Sequence, residues 1–220
     1  MNINYLSKRI LNFALDLIFP RHCALCGRVI LGTRCLPLCT KCDQKPLAKK
    51  TVCDDSFAFD YATAFVKYEG KARDAMIKYK FKSIKYYVEA YAHLIDKGIS
   101  DNADFKDAIM CPVPLSKGRK RPYNQTELIA GRLSEMWDIE YIPDLMYKCC
   151  EVGQLGKMNL AERKFYIKDA IDVNPWYDIY GKNIVVIDDI YTSGTTANEC
   201  ASLLKMYGAA GVYVLCACYD

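Results

Sequence analysis

The chain has 220 residues, a length that favours one medium-sized domain or one domain with a small appendage. Its composition, with 52% hydrophobic and 25% charged residues, is ordinary for a soluble globular chain, and a net charge of +4 argues neither for nor against a nucleic-acid partner by itself. The apolar runs are too short for a membrane span and no signal-peptide pattern opens the chain, so we expect a cytoplasmic protein.

The N-terminal segment predicts an amphipathic helix. Between Tyr5 and Phe19, apolar side chains recur at helical spacing and form one stripe, and Pro20 ends the pattern. Such a helix usually packs on its own domain. The alternative is a docking surface for a partner or a membrane.

Two C-x-x-C pairs follow, Cys23-Ala-Leu-Cys26 and Cys39-Thr-Lys-Cys42. Each turn allows two thiolates to converge on one tetrahedral ion, so the four cysteines predict a closed structural zinc site. His22 or Cys35 lies close enough in sequence to replace one ligand. The alternatives are reduced, buried cysteines or a redox pair.

Residues 45–55 are polar, include a proline and show no periodicity, so we predict a linker there. It divides an N-terminal helix and zinc segment, residues 1–55, from a second domain, residues 56–220. Strand-like and helix-like patterns alternate in that second domain and predict an α/β fold with an open, mostly parallel sheet flanked by helices. The predicted strands are Phe59 to Tyr68, Asp107 to Val113, Tyr141 to Leu145, Ile184 to Ile187 and Gly211 to Cys218. The predicted helices are Val88 to Ile95, with His93 as a packing residue, Tyr123 to Trp137, and one beginning near Asn198.

A basic and aromatic segment follows the first of these strands. Lysines neutralise backbone phosphates and rings stack on unpaired bases, so this mixture is typical of single-strand binding. The alternative is a solvated helix face whose rings belong to the core. The candidate nucleic-acid contacts are Lys78, Lys80 and Lys82.

Two further segments are candidates for binding a diphosphate. A basic turn follows the strand that ends at Val113, and its cations and hydroxyl could face a diphosphate; the alternative is a basic surface turn. Residues 149–164 are polar and contain Gly153 and Gly156, so they predict a lid over the site, or else a simple connector. The candidate diphosphate contacts in these two segments are Ser116, Lys117, Arg119, Arg121 and Arg163.

The strongest pattern is Ile184 to Thr196, a buried strand followed by Asp188, Asp189 and a loop of small hydroxyl residues. The carboxyl ends of parallel strands are where α/β sheets bind ligands. The acids can accept hydrogen bonds from the two ribose hydroxyls, while the loop and the helix N-terminus after it hold a 5′-phosphate. The predicted phosphate contacts are Tyr191, Thr192, Ser193, Gly194, Thr195 and Thr196. A simple helix cap is the alternative, and a Walker phosphate loop is excluded because its glycine and lysine pattern does not occur.

This stretch resembles the phosphoribosyl pyrophosphate (PRPP) motif of type I phosphoribosyltransferases. The order of the whole chain, with four cysteines, Tyr68-Glu-Gly, Pro112-Val-Pro, Arg121-Pro-Tyr-Asn-Gln and then the PRPP motif, is similar to the ComF family. The family usually has Arg-Gly-Phe-Asn-Gln where this chain has Arg121-Pro-Tyr-Asn-Gln, and Pro122 in place of the glycine stiffens that turn.

The resemblance implies a type I phosphoribosyltransferase fold, a structural zinc ion, and PRPP or a related ribose phosphate bound with Mg²⁺. It also implies a part in natural competence, with single-stranded DNA and a competence helicase as partners. Two functions follow from it. One is glycosyl transfer at ribose C1 with loss of diphosphate, in which Asp188 and Asp189 are the catalytic acids. The other is a non-catalytic DNA-binding or partner-docking protein that keeps the PRPP fold as a ligand sensor.

Overall fold

The computed structural model describes residues 20–30, 36–82, 84–99, 105–115, 123–148 and 171–220. Three predicted features lie outside these residues. They are the N-terminal helix, the basic turn after Leu115 and the polar segment from 149 to 164.

The N-terminal part contains a small hairpin and a single helical turn: β1 (Arg21–His22), β2 (Val29–Ile30) and α1 (Thr40–Asp43). The rest of the chain alternates strands and helices: β3 (Lys50–Val52), β4 (Tyr61–Lys67), α2 (Gly70–Phe81), α3 (Tyr87–Gly98), β5 (Ile109–Pro112), α4 (Gln125–Trp137), β6 (Glu140–Tyr141), β7 (Met146–Lys148), β8 (Ile171–Val173), β9 (Asn183–Tyr191), α5 (Thr195–Met206) and β10 (Gly211–Tyr219).

One six-stranded sheet forms the centre, in the order β3-β4-β10-β9-β5-β6. All neighbouring strands are parallel except β3, which pairs antiparallel with β4. A parallel sheet must be covered on both faces, and helices cover both faces here. The predicted fold class is therefore confirmed.

The central strand β9 shows how the sequence produces two core layers. Val185 and Ile187 pack with α2, α3 and α4 on one face, whereas Ile184 and Val186 pack with α5 on the other. Successive side chains of a strand point to opposite faces, so a continuous run of branched apolar residues fills both layers.

Two sequence predictions were wrong in detail. Residues 50–52, predicted as part of a linker, form the edge strand β3, in which the hydroxyls of Thr51 and Thr63 are 3.1 Å apart across the pair. The strand predicted from Tyr141 to Leu145 is divided into β6 and β7, which belong to different sheets. Pro143 lies between them and has no backbone N–H to donate.

The N-terminal segment is packed against α3. His93, predicted as a packing residue, places Nε2 2.8 Å from a carboxylate oxygen of Asp43, and Lys97 donates to the Asp43 carbonyl. The buried residues Cys23 and Leu38 share a hydrophobic cluster with Leu94 of α3. The cysteine-rich segment and the sheet domain thus share one core.

No helix within the described ranges combines the length and the apolar character that crossing a bilayer requires.

Candidate functional site

The two acids lie at the carboxyl end of β9. Pairing with β10 continues through Asp188, opposite Cys216, to Tyr191, so the acids belong to the strand, which extends beyond its predicted end at Ile187. Because side chains alternate along the strand, Asp188 shares the α5 face with Val186, while Asp189 shares the opposite face with Ile187. The Oδ1 atom of Asp188 accepts a hydrogen bond of 2.7 Å from the Asp189 N–H.

A buried lysine pairs with the second acid. The Nζ atom of Lys80, on the last turn of α2, lies 2.8 Å from Oδ2 of Asp189, and the two side chains are only 11% and 13% exposed. A charge that is taken out of water must be compensated by a partner. The pair is therefore a fixed part of the site and not a surface contact.

A hydrogen-bonded clamp fixes the end of α2 that carries Lys80. Gln125 is fully buried, and its Nε2 donates to the Lys80 carbonyl at 3.0 Å and to the Tyr123 carbonyl at 2.9 Å. The hydroxyl of Tyr79 donates to the Gln125 carbonyl at 3.0 Å, and the Tyr123 hydroxyl donates to the Tyr79 carbonyl. Tyr123 and Gln125 of the family-like motif thus hold the end of α2 in position.

The start of α4 is fixed in the same region. Asn124 is its N-cap, and its side chain accepts from the Thr126 N–H at 3.2 Å. The Thr126 hydroxyl donates to the carbonyl of Val113, directly after β5, at 3.1 Å. The carboxyl end of β5 and the clamp on α2 are therefore parts of one rigid unit beside the acids.

The loop after β9 closes tightly around Gly194. This residue has φ +80°, and a Cβ atom there would lie 2.6 Å from the Tyr191 hydroxyl and 3.3 Å from Phe57, so glycine is required. Gly194 is also the N-cap of α5 and has no side chain to occupy the first-turn N–H groups. Thr192, Ser193, Thr195 and Thr196 are exposed around it. This arrangement offers hydroxyls and helix N–H groups to an anion.

Tyr191 is one of the predicted phosphate contacts. It ends β9 and is buried beneath the loop, with its ring against Gly194, so it supports the loop from below. It belongs to the same hydrophobic cluster as Ile184 and Val186, on the α5 face of the sheet.

Buried polar side chains lie near the ion pair. Burial raises the pKa of the Cys218 thiol to about 12, with Asp189 raising it further and Lys80 opposing that effect. Burial also raises the pKa of Tyr91 well above its ordinary value, and within the described part of the chain its hydroxyl has no hydrogen-bond partner. The ion pair therefore lies in a poorly solvated region, where electrostatic interactions are strong.

The predicted nucleic-acid contacts are separated by the structure. Lys78 and Lys82 are exposed, but Lys80 is buried in its pair with Asp189 and is not an open cation. Two of the rings in this segment, Tyr79 and Tyr87, are core residues. The exposed rings are Phe81 and Tyr86, which are 55% and 36% exposed.

The burial of Lys80 could have been predicted from the spacing of the apolar residues along α2. The buried residues of this helix recur three and four positions apart, and Lys80 continues their series: Ala72, Ala75, Met76, Tyr79 and Lys80. A lysine in that row must find a buried anion. The predicted diphosphate contacts at 116, 117, 119, 121 and 163 lie outside the described residues.

The four predicted cysteines converge at the N-terminal segment. The sulfur atoms of Cys23, Cys26, Cys39 and Cys42 all lie within 4.8 Å of one another, and those of Cys26 and Cys39 are 3.7 Å apart. A tetrahedral zinc ion with Zn–S bonds of about 2.3 Å places its sulfurs about 3.8 Å apart. The cluster therefore fits a structural zinc ion.

The backbone of the two turns supports this assignment. The Gly27 N–H donates to the Cys23 carbonyl at 2.9 Å with φ +71° at Gly27, and the Cys42 N–H donates to the Cys39 carbonyl at 3.0 Å. Burial and hydrogen bonds with the neighbouring sulfurs raise the pKa of the Cys42 thiol, so four thiolates need a bound cation to share this space.

Of the two alternative ligands, His22 is not in the cluster. Its Nδ1 atom lies 3.1 Å from the Gly27 carbonyl, where it supports the first turn. Cys35 lies outside the described residues.

Comparison with known proteins gives relatives that are named for competence and for DNA utilization. The chain is 29% identical over 202 residues to competence protein ComFC of Streptococcus pneumoniae, which covers 89% of this chain and 79% of that protein. It is 30% identical over 108 residues to DNA utilization protein YhgH of Escherichia coli, although this match covers only 48% of the chain and 47% of YhgH. Competence protein F of Haemophilus influenzae is 24% identical over 145 residues, 62% of this chain and 63% of that protein. No family model matches the chain.

Two solved structures align with part of the chain at low TM-scores. The PRPP amidotransferase of Bacillus subtilis aligns with a TM-score of 0.41 and 20% identity over 57% of this chain and 25% of that chain. An adenine phosphoribosyltransferase from Thermoanaerobacter pseudethanolicus aligns with a TM-score of 0.40 and 13% identity over 63% of this chain and 83% of that chain. Scores at this level add nothing to what the strand order shows.

The chain spans about half the length of the YhgH proteins that it matches, and most of the length of ComFC. The relatives, the sheet and the cysteine cluster agree with the order of motifs along the sequence. The resemblance to the ComF family is thus confirmed: the chain is similar over most of its length to competence protein ComFC, and it has a four-cysteine cluster ahead of a mostly parallel α/β domain.

Proposed function

We propose that this chain binds PRPP or a related ribose phosphate at the carboxyl end of β9, and that it acts in the cytoplasm in the handling of internalised single-stranded DNA. The observation that carries the proposal is the placement of two acids and a glycine-capped helix N-terminus on one strand and the loop that follows it. Acids accept hydrogen bonds from sugar hydroxyls, and a helix N-terminus binds phosphate. Hydroxyls and a phosphate are the two ends of a ribose 5-phosphate group.

The proposed reaction is glycosyl transfer at ribose C1 with departure of diphosphate. Asp188 and Asp189 would hold the ribose hydroxyls and stabilise the positive charge that develops on the ring. Thr192, Ser193, Thr195 and Thr196 would orient the 5′-phosphate. The predicted cations at 117, 119, 121 and 163 would face the diphosphate.

The resemblance also implies Mg²⁺, which prefers oxygen ligands such as carboxylates. The ion would be held by oxygens of the ligand, whose ribose hydroxyls Asp188 and Asp189 would bind. The ammonium 2.8 Å from Oδ2 of Asp189 makes that acid less suited to bind the ion directly. The ion would supply charge neutralisation of the departing diphosphate.

We expect PRPP to bind the full chain in the presence of Mg²⁺, and Asp188→Asn and Asp189→Asn each to weaken that binding. Losing a hydrogen bond to a charged group costs about 1.5 to 3 kcal/mol, so affinity should fall by about tenfold or more for each variant. Isothermal titration calorimetry measures the affinity, and thermal melting with PRPP reports stabilisation of the folded state.

The matched control is Asp107→Asn. Asp107 is an exposed acid just before β5, at the amino end of the parallel strands, so this variant should bind PRPP as the natural chain does. Absence of both heat and thermal protection in the natural chain would remove the proposal.

A second candidate function, single-strand binding without catalysis, is favoured by the exposed part of the α2 segment. Lys78 and Lys82 are exposed near the exposed ring of Phe81, and Lys85 is exposed as well. Cations and rings that face solvent together suit a nucleic-acid backbone with unstacked bases.

If this surface binds DNA, Lys78→Gln/Lys82→Gln should weaken binding to an oligodeoxynucleotide and reduce the salt dependence of the affinity. Each neutralised phosphate contact lowers the slope of log affinity against log salt by about 0.7 for single strands, so the double variant should lose roughly 1.4. Fluorescence anisotropy at several salt concentrations measures both quantities. Lys71→Gln, at the start of the same helix, is the control. An unchanged slope in the double variant would exclude the surface.

A further inference from the structure

The sugar and phosphate contacts described above give no role to Lys80. Its ammonium lies against Asp189, and the helix end that carries it is held by three hydrogen bonds to Gln125 and Tyr123. A side chain whose backbone is fixed in this way is a preorganised charge. It acts as a permanent cation at one of the two sugar-binding acids.

The charge balance of the site shows what this cation does. Asp188 and Asp189 are consecutive in sequence, and the phosphate loop begins directly after β9. A ligand with a phosphate dianion therefore brings like charge toward two carboxylates on a poorly solvated surface, and like charges repel strongly there. The Lys80 ammonium reduces the formal charge of this group of side chains from −2 to −1.

The pair also offers a donor beside an acceptor. A carboxylate accepts hydrogen bonds only, whereas an ammonium has three N–H donors. A sugar hydroxyl placed at the pair can donate to Asp189 and accept from Lys80. A divalent cation that is coordinated by sugar hydroxyls serves the same purpose, by placing positive charge on the hydroxyl oxygens.

We infer that Lys80 is a positioning residue that takes the place of a divalent cation at the sugar, so that a ribose 5-phosphate group binds this site without Mg²⁺. The inference rests on the proposed function and specifies its ligand. The site should accept ligands with a single phosphate, such as ribose 5-phosphate, in addition to those whose diphosphate carries Mg²⁺ with it.

The test measures binding of ribose 5-phosphate to the zinc-loaded full chain by calorimetry. One buffer is freed of Mg²⁺ by passage over a chelating resin before the protein is added, and the other contains Mg²⁺. We expect the two affinities of the natural chain to agree within about threefold, because Lys80 already supplies the positive charge at the sugar. Threefold corresponds to about 0.7 kcal/mol.

In Lys80→Met, binding without Mg²⁺ should fall by about tenfold or more, and added Mg²⁺ should restore most of it. Lys71→Met, on the exposed first turn of the same helix, should behave like the natural chain under both conditions. If Lys80→Met does not fold, Lys80→Gln removes the charge but keeps a donor for Asp189, and the same Mg²⁺ dependence is expected.

The contrary outcomes are distinct. A natural chain that binds ribose 5-phosphate only with Mg²⁺ overturns this inference but leaves the proposed function intact. A Lys80 variant that is weakened equally with and without Mg²⁺ shows that the lysine is only structural, and one that is unaffected shows that it has no part in binding. If the natural chain binds neither ribose 5-phosphate nor PRPP under any condition, the proposed function itself fails.

Discussion

Cys39→Ser is expected to release the metal and to lower the melting temperature of the whole chain. The four sulfurs hold one tetrahedral position, and Cys23 is buried in the same core as Leu94 of α3. Structural zinc contributes about 10 kcal/mol or more in isolated zinc-binding peptides. If only a third of that is lost here, about 3 kcal/mol, the melting temperature should fall by roughly 6 to 12 °C for a chain of this size.

Inductively coupled plasma mass spectrometry measures the zinc content, and circular dichroism measures the melting temperature. The control is Cys53→Ser, because Cys53 is exposed and its sulfur contacts the Asp60 carbonyl, outside the cluster. A zinc-free natural chain that melts at the same temperature as the zinc-loaded one would contradict the assignment.

The second large effect is expected from the Lys80–Asp189 pair, this time on stability. Asp189→Leu leaves a buried ammonium without its partner, and removing one member of a buried pair costs about 3 to 5 kcal/mol. The melting temperature should therefore fall by roughly 6 to 20 °C. Lys80→Met should be destabilising for the same reason, because it leaves a buried carboxylate.

The double variant Lys80→Met/Asp189→Leu should recover most of the loss, since replacing a buried ion pair by apolar side chains is often neutral. Lys67 and Glu69 provide a matched control, because their ion pair has the same 2.8 Å distance but its side chains are 59% and 65% exposed. Lys67→Met should leave the melting temperature unchanged within error, because exposed pairs are screened by water. Additive losses in the double variant would mean that the two charges are not coupled.

Local patterns predicted much of the fold correctly. The apolar run before Asp188 specifies a strand buried on both sides, and that requirement fixes β9 at the centre of the sheet. The helix predicted from Tyr123 to Trp137 is α4, which begins two residues later because Asn124 is its cap. Strand β3 was missed because three residues at a sheet edge carry no periodic signal of their own.

The site was predicted less completely than the fold. Lys80 was assigned to an open surface because its neighbours Lys78 and Lys82 are cations, and a run of like charges usually marks a solvated face. Helical spacing places Lys80 a full two turns after Ala72, on the buried row, and so toward the sheet. The sequence does not show which acid it meets, because that depends on how α2 is placed against β9.

The sequence by itself determined the chemistry that is local in the chain: four cysteines in two tight turns, an acidic pair after a buried strand, and a glycine where the following loop has a positive φ. Spacing alone is sufficient for these features, because the groups that act together are a few residues apart or have one geometric solution. Only the tertiary structure decided that Lys80 neutralises Asp189, that Gln125 fixes Lys80, and that Tyr191 supports the loop from the core. Those contacts join residues from separate elements, and side-chain alternation and helix placement, which are properties of the packed core, bring them together.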